Sequence, residues 1–196
     1  ALASDPASDG GSSGIDFRQV WVGNDENYLY IKFDTTGEVQ PDEGQSLRLY
    51  LDTDLNSSTG TFFNGIGAEL VWNFGWRDGT FKVGSSTYDL NHSDIGLLVG
   101  PTVSNTQFEV AIARDAVPGG GVELFTGEDV RFIFQDTSSG GDVFPNSGHL
   151  AYSFSTGSFV IPSLPLDRDM PEHIRLASYN IEGDGLFDGG SRELAL

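Results

Sequence analysis

Residues 27–34, "NYLYIKFD", place Leu29, Ile31 and Phe33 on one face and Tyr28, Tyr30 and Lys32 on the other. A period of two marks a strand with one buried face. The same period runs through 46–52, with Leu47, Leu49 and Leu51 inward and Arg48, Tyr50 and Asp52 outward. It recurs in 66–74, "IGAELVWNF", where Ala68, Leu70, Trp72 and Phe74 oppose Glu69, Val71 and Asn73. In 106–113 it sets Phe108, Val110 and Ile112 against Glu109. Segments 15–23, 130–136 and 149–155 read as further strands. Weaker runs near 79–89 and 95–103 predict a hairpin or meander. The short link "GNDEN" predicts a hairpin joining the first two strands. Gly, Asn, Asp and Ser clusters punctuate the whole. About eight or nine short strands separated by turn signals predict an all-β, antiparallel β-sandwich of jelly-roll or immunoglobulin-like form. No stretch keeps a helical period; "IARDAV" suits one short turn before Pro118-Gly119-Gly120-Gly121.

The ends of the chain break this pattern. Residues 1–14, "ALASDPASDGGSSG", are low in complexity and read as a flexible leader. Ala1-Leu2-Ala3 suits the tail of an A-x-A cleavage site, or any small-residue leader, so the expectation is a mature exported protein, secreted or periplasmic. The strand pattern occupies 15–156. Prolines then crowd "FVIPSLPLDRDMPEH", and residues 157–173 read as an extended, Pro-rich linker. Residues 174–196, "IRLASYNIEGDGLFDGGSRELAL", form a new apolar run with no partner in the sandwich pattern: the start of a further domain, or a terminal strand.

Charge narrows the function. Lys and Arg number 10 against 29 Asp and Glu, a net charge of −19. A field of that sign repels phosphate backbones, so no nucleic-acid partner is expected for this segment. It attracts divalent cations, and it equally serves to keep a protein soluble. With no cysteine, disulfides, Cys-ligated zinc and thiol catalysis are excluded. No apolar run approaches the ~20 residues of a membrane helix, so no membrane partner is expected. The three histidines, His92, His149 and His173, are scattered, and there is no Gly-x-Ser-x-Gly elbow, phosphate loop or placed acid–base pair. The chain is not expected to be an enzyme by itself.

One stretch carries candidate chemistry. "LDTDLNSSTG" (51–60) sets Asp52, Asp54 and Asn56 at every second position. These fit the first three ligand positions of an EF-hand, but Ser57 stands where the invariant Gly belongs and Phe63 where the bidentate Glu belongs. No helical pattern flanks the loop, so the EF-hand reading fails. A calcium site in a β-sandwich loop remains. Calcium takes six to eight oxygens at about 2.3–2.6 Å, and a loop leaving the strand at Asp52 can bring Asp54, Asn56 and backbone oxygens near Thr59 together. Gly60 permits the left-handed backbone that such a curl needs. Glu69, on the polar face of the next strand, is the best further carboxylate. The alternative is a plain solvated turn, since Asp, Asn, Ser, Thr and Gly are also the common turn residues. For a second acidic loop, "QDTSSGGDVFPN" with Asp136 and Asp142, the plain loop is the favoured reading.

The stretches "VWVGNDENYLYIKFDTTGE", "LRLYLDTDLNSSTG", "GIGAELVWNF" and "NTQFEVAIAR" together resemble the family 9 carbohydrate-binding modules and their DOMON-like relatives, over roughly residues 15–155. The loop is the most specific element and the rest is generic β pattern. The resemblance implies a β-sandwich with structural calcium at Asp52, Asp54, Asn56 and Glu69, and carbohydrate as the partner. Sugar binding needs exposed aromatics beside polar groups. Trp72 and Trp76 bracket "WNFGW"; Trp76, in a glycine-flanked turn beside Arg77 and Asp78, is the candidate, while Trp21 and Trp72 are expected inside.

The tail, through "ASYNIEGDG", resembles the opening strand of the endonuclease/exonuclease/phosphatase family, in which an Asn, here Asn180, helps hold metal and phosphate. The chain carries none of the Glu, His and Asp residues that the family uses further on. The resulting expectation is a non-catalytic, calcium-binding accessory module of a secreted, metal-dependent phosphodiesterase or nuclease. The alternative is a structural or adhesive extracellular subunit that self-associates through a C-terminal strand at 174–181.

Overall fold

The computed structural model describes residues 1–6, 14–40 and 46–156. The Pro-rich linker, the tail with His173 and Asn180, and the proposed assembly strand at 174–181 lie outside the described residues, as do residues 7–13 of the leader.

Fourteen strands follow in chain order: β1 (Ala3–Ser4), β2 (Phe17–Asn24), β3 (Tyr28–Val39), β4 (Leu47–Asp52), β5 (Thr61–Phe63), β6 (Ile66–Ala68), β7 (Leu70–Asn73), β8 (Asp78–Val83), β9 (Ser86–Asn91), β10 (Leu98–Gly100), β11 (Asn105–Ala113), β12 (Asp129–Asp136), β13 (Val143–Phe144) and β14 (Leu150–Ser153). Every pairing between them is antiparallel. Among the described residues there is no α-helix, and no helix long and apolar enough to cross a membrane. One sheet runs β1-β2-β3-β11-β10; the other runs β13-β12-β4-β7-β8-β9, with β14 also on β12. β5 and β6 form a separate two-stranded ribbon.

The period-two pattern explains the core. Leu29, Ile31 and Phe33 of β3 and Phe108, Val110 and Ile112 of β11 face Leu47, Leu49 and Leu51 of β4 and Phe132 and Phe134 of β12 across one apolar cluster. Phe33 sits at its centre, its ring 4.8 Å from that of Phe134 and 5.4 Å from that of Phe108. Fully burying each such side chain contributes about 1.5–3 kcal/mol, which holds the two sheets together.

Five sequence expectations change. The run 66–74 is not one strand: the chain bends at Glu69, so β7 stays in the large sheet while β6 leaves it to pair with β5. Leu70, Trp72 and Phe74 therefore join the main core, but Ala68 does not. It packs with Tyr50, Ile66, Val71 and Ile133 in a second cluster on the outer side of the sheet, and Phe63 stacks on Tyr50 at 4.2 Å. Tyr50 and Asp52 alternate outward as expected, yet both are buried, because the β5–β6 ribbon covers them. The run 79–89 is a hairpin by itself (β8–β9), and the run 95–103 supplies β10 to the other sheet. Trp72 is inside, but Trp21 is half-buried on an outer face with the Lys32 ammonium 4.8 Å from its ring centre. Within the leader, Ala3 and Ser4 pair with Val20 and Gln19, so these two residues are strand rather than free tail.

The second acidic loop is a latch. Asp136 is buried, and its carboxylate accepts hydrogen bonds from the Ile15 amide (2.8 Å), the Ser138 amide (2.9 Å) and hydroxyl (2.8 Å), and the Ser46 hydroxyl. Asp142 accepts the Phe17 amide at 2.9 Å. The two carboxylates thereby tie the start of β2 to the far sheet. Burial alone raises the Asp136 carboxyl, but the hydrogen bonds from Ser46, Ser138 and Ile15 outweigh it and hold the group below its ordinary value of 3.8. A lowered carboxyl stabilises the fold above its unfolded pKa, and that stability is lost as pH falls through the folded value. Asp136→Ala is accordingly expected to destabilise by about 2–4 kcal/mol in urea unfolding at neutral pH, and to lose less stability than the wild type between neutral pH and acid. An unchanged midpoint at neutral pH would show that the latch is dispensable.

Candidate metal centre

β4 ends at Asp52, and the chain rejoins the sheet at Leu70, which pairs directly with Leu51. Residues 52–69 are thus an excursion whose two ends meet, with Asp52 at one end and Glu69 at the other. The first half is a tight polar loop. Asp52 Oδ1 accepts the Leu55 amide at 2.7 Å, Asp54 Oδ1 the Asn56 amide at 2.9 Å, and Asn56 Oδ1 the Ser58 amide at 3.0 Å. The last two are successive Asx turns, in which the side chain takes the place of a backbone acceptor. The Thr59 hydroxyl reaches Asp54 Oδ2 at 2.9 Å and the Asn56 carbonyl at 2.7 Å. Leu55 and Gly60 take left-handed backbone angles, φ 61 and 59. Gly60 adopts this freely; Leu55 does so at a cost of roughly 1–2 kcal/mol, a local strain held by the loop's other bonds.

The second half brings the ribbon against the loop. A β-carbon on Gly67 would overlap the carbonyl oxygens of Asn56 and Thr59, and one on Gly60 would overlap the Ala68 carbonyl. Only glycine allows this approach of backbone to backbone. Asn64 and Gly65, both at positive φ, make the tight turn between β5 and β6. The Gly67 amide donates to Asp52, and the Thr53 amide donates to Glu69 Oε2 at 2.9 Å.

One ligand oxygen each from Asp52, Asp54 and Glu69 lies within 4.8 Å of the others. Asp52 and Glu69 are buried, Asp54 exposed. Asp52 Oδ2 and Glu69 Oε1 are buried with no hydrogen-bond partner. Burial, reinforced by the neighbouring Asp54 charge, raises the carboxyls of both Asp52 and Glu69 above their ordinary values. A buried carboxylate oxygen without a donor is costly, and a cation bound among the three carboxylates removes that cost. The donor set is all oxygen, as hard divalent ions require. The three carboxylates of Asp52, Asp54 and Glu69 therefore fit a metal, whereas the Asn56 carbonyl accepts from the Thr59 amide and hydroxyl, and it and the Thr59 carbonyl face Gly67. The Asn56 amide and the Thr59 hydroxyl are engaged within the loop.

Sequence reading missed Arg131. It sits on β12 directly opposite Asp52 in the ladder, with Nη1 4.0 Å from Asp52 Oδ2 and 3.2 Å from the Leu55 carbonyl. Its signal was a lone basic residue on the outward face of "VRFIFQD", but its partner lies too far away in sequence for periodicity to reveal. His149 lies at the surface near Arg131, where partial loss of water and the guanidinium charge lower its pKa.

The sugar-contact candidates share one turn between β7 and β8. Trp76 is 77% exposed there. Arg77 has φ 53 and donates its amide to the Phe74 carbonyl at 3.2 Å, and Asp78 accepts Asn73 Nδ2 at 2.8 Å. No family model, curated protein or solved structure matches the chain.

Raised carboxyls oppose folding at neutral pH. For Asp52 and Glu69 the folded state binds protons more tightly than the unfolded state, so in chelator stability is expected to rise as pH falls from neutral toward the ordinary values of 3.8 and 4.5. Glu69→Gln removes one of these charges with little change of shape. In EDTA at neutral pH it is expected to melt about 2–4 °C higher than the wild type, roughly 1 kcal/mol. A lower melting temperature in EDTA would mean that Glu69 serves the fold rather than an ion.

Proposed function

We propose that the described residues form a calcium-binding β-sandwich module, non-catalytic and extracellular, of the kind resembled by family 9 carbohydrate-binding modules and DOMON-like domains. The observation that carries this reading is the pair of buried, unpartnered oxygens, Asp52 Oδ2 and Glu69 Oε1, on two residues whose carboxylates cluster with that of Asp54. The ion's role is structural. It joins the two ends of the 52–69 excursion and so holds the β5–β6 ribbon over Tyr50, Val71 and Ile133. Calcium is favoured over magnesium because three carboxylates, one of them on an exposed loop, make an adaptable oxygen set, whereas magnesium demands near-octahedral geometry and keeps several waters.

The wider assignment rests on less. Carbohydrate as partner is supported by the resemblance and by Trp76, an indole presented to solvent beside Arg77 and Asp78. The role as accessory to a secreted endonuclease/exonuclease/phosphatase-type hydrolase is supported by "ASYNIEGDG" alone.

Thermal unfolding in EGTA and in millimolar calcium tests the ion. A ligand present at a hundredfold excess over Kd adds about 2.7 kcal/mol. The wild type is expected to gain several degrees, and Asp54→Ala to gain none; equal gains in both would move the ion elsewhere, and magnesium matching calcium would overturn the choice of ion. For the sugar, Trp76→Ala is expected to leave the melting temperature unchanged and to abolish retention on insoluble polysaccharide. Retention by the variant equal to that of the wild type would remove Trp76 from the site.

A further inference from the structure

Among the described residues, Arg131 is a permanently charged partner of this carboxylate cluster. It projects from β12 at the ladder position opposite Asp52, with Nη1 4.0 Å from Asp52 Oδ2, and it is 31% exposed against 0% for the Asp52 side chain. The same nitrogen donates to the carbonyl of Leu55, the strained residue of the loop. Three carboxylates carry three negative charges, and the guanidinium offsets one. Building on the metal reading above, we propose that Arg131 sets the valence selectivity of the site, holding its effective charge near minus two so that a divalent ion is neutralised in full and a trivalent ion is disfavoured.

A fixed positive charge repels a bound cation in proportion to that cation's charge. Its removal strengthens binding of a trivalent ion more than that of a divalent one. Arg is suited to the role because it stays protonated at any pH at which the protein folds. The guanidinium's second contribution, its hydrogen bond to the Leu55 carbonyl, organises the loop, and losing it weakens all cations alike. The ratio of trivalent to divalent affinity is therefore insensitive to loop order and reports the charge alone.

The test measures dissociation constants for calcium by calorimetry, and for terbium by sensitised luminescence, on the wild type, Arg131→Met and Arg131→Lys. Arg131→Met is expected to raise the preference for terbium over calcium roughly tenfold. Arg131→Lys, which keeps the charge and loses the fork, is expected to keep the wild-type ratio while binding both ions somewhat more weakly. Should calcium bind and the ratio stay the same in Arg131→Met, the selectivity role is overturned and the site stands. If the wild type binds neither ion, the site itself fails, and the selectivity role with it. Circular dichroism of each variant establishes that the β structure is intact; if Arg131→Met does not fold, Arg131→Gln takes its place in the same comparison.

Discussion

Asp52 and Glu69 are both removed from water, and each keeps one oxygen that no protein donor reaches. Burial of charge with too few donors opposes folding, so the region around them is built to hold them in place. The bend at Glu69, the glycines at 60 and 67 and the left-handed Leu55 all serve to bring the loop and ribbon close enough to converge. The hydrophobic cluster beneath the ribbon then depends on that convergence. Phe63 of the ribbon stacks on Tyr50 of the sheet beneath it.

The two acidic loops show how the same residue types reach opposite ends. Asp136 and Asp142 are as buried as Asp52, but the chain surrounds Asp136 with amides and hydroxyls that satisfy its oxygens. Its carboxyl is stabilised in the charged form by donors, and it fastens one sheet to the other. Asp52 and Glu69 receive too few donors and stand open to a cation. Composition does not separate these two cases. The count of donors on each oxygen does.

Much of the fold was legible in the sequence, because strands with one buried face repeat every second residue. β3, β4, β11 and β12 follow that period closely, and their inward residues are the core. The site was legible in part. Asp52, Asp54 and Glu69 meet as the spacing suggested. The ribbon was not anticipated, although Asn64-Gly65 between "TFF" and "IGA" is a strong short hairpin signal. An apparently continuous strand from 66 to 74 concealed it. Arg131 was out of reach for a different reason. Its pairing with Asp52 is a matter of long-range register, which no local pattern encodes.

Leu51 and Leu70 face each other in the ladder, so β4 and β7 are already neighbours before the residues between them are considered. The sheet does not need the excursion in order to close. Closure entropy grows slowly with loop length, by about 0.6 kcal/mol per doubling, and a long connection here is scarcely more costly to the sheet than a short turn. In the ladder the excursion is an insertion: the Leu51–Leu70 pairing on either side of it stands whatever its length.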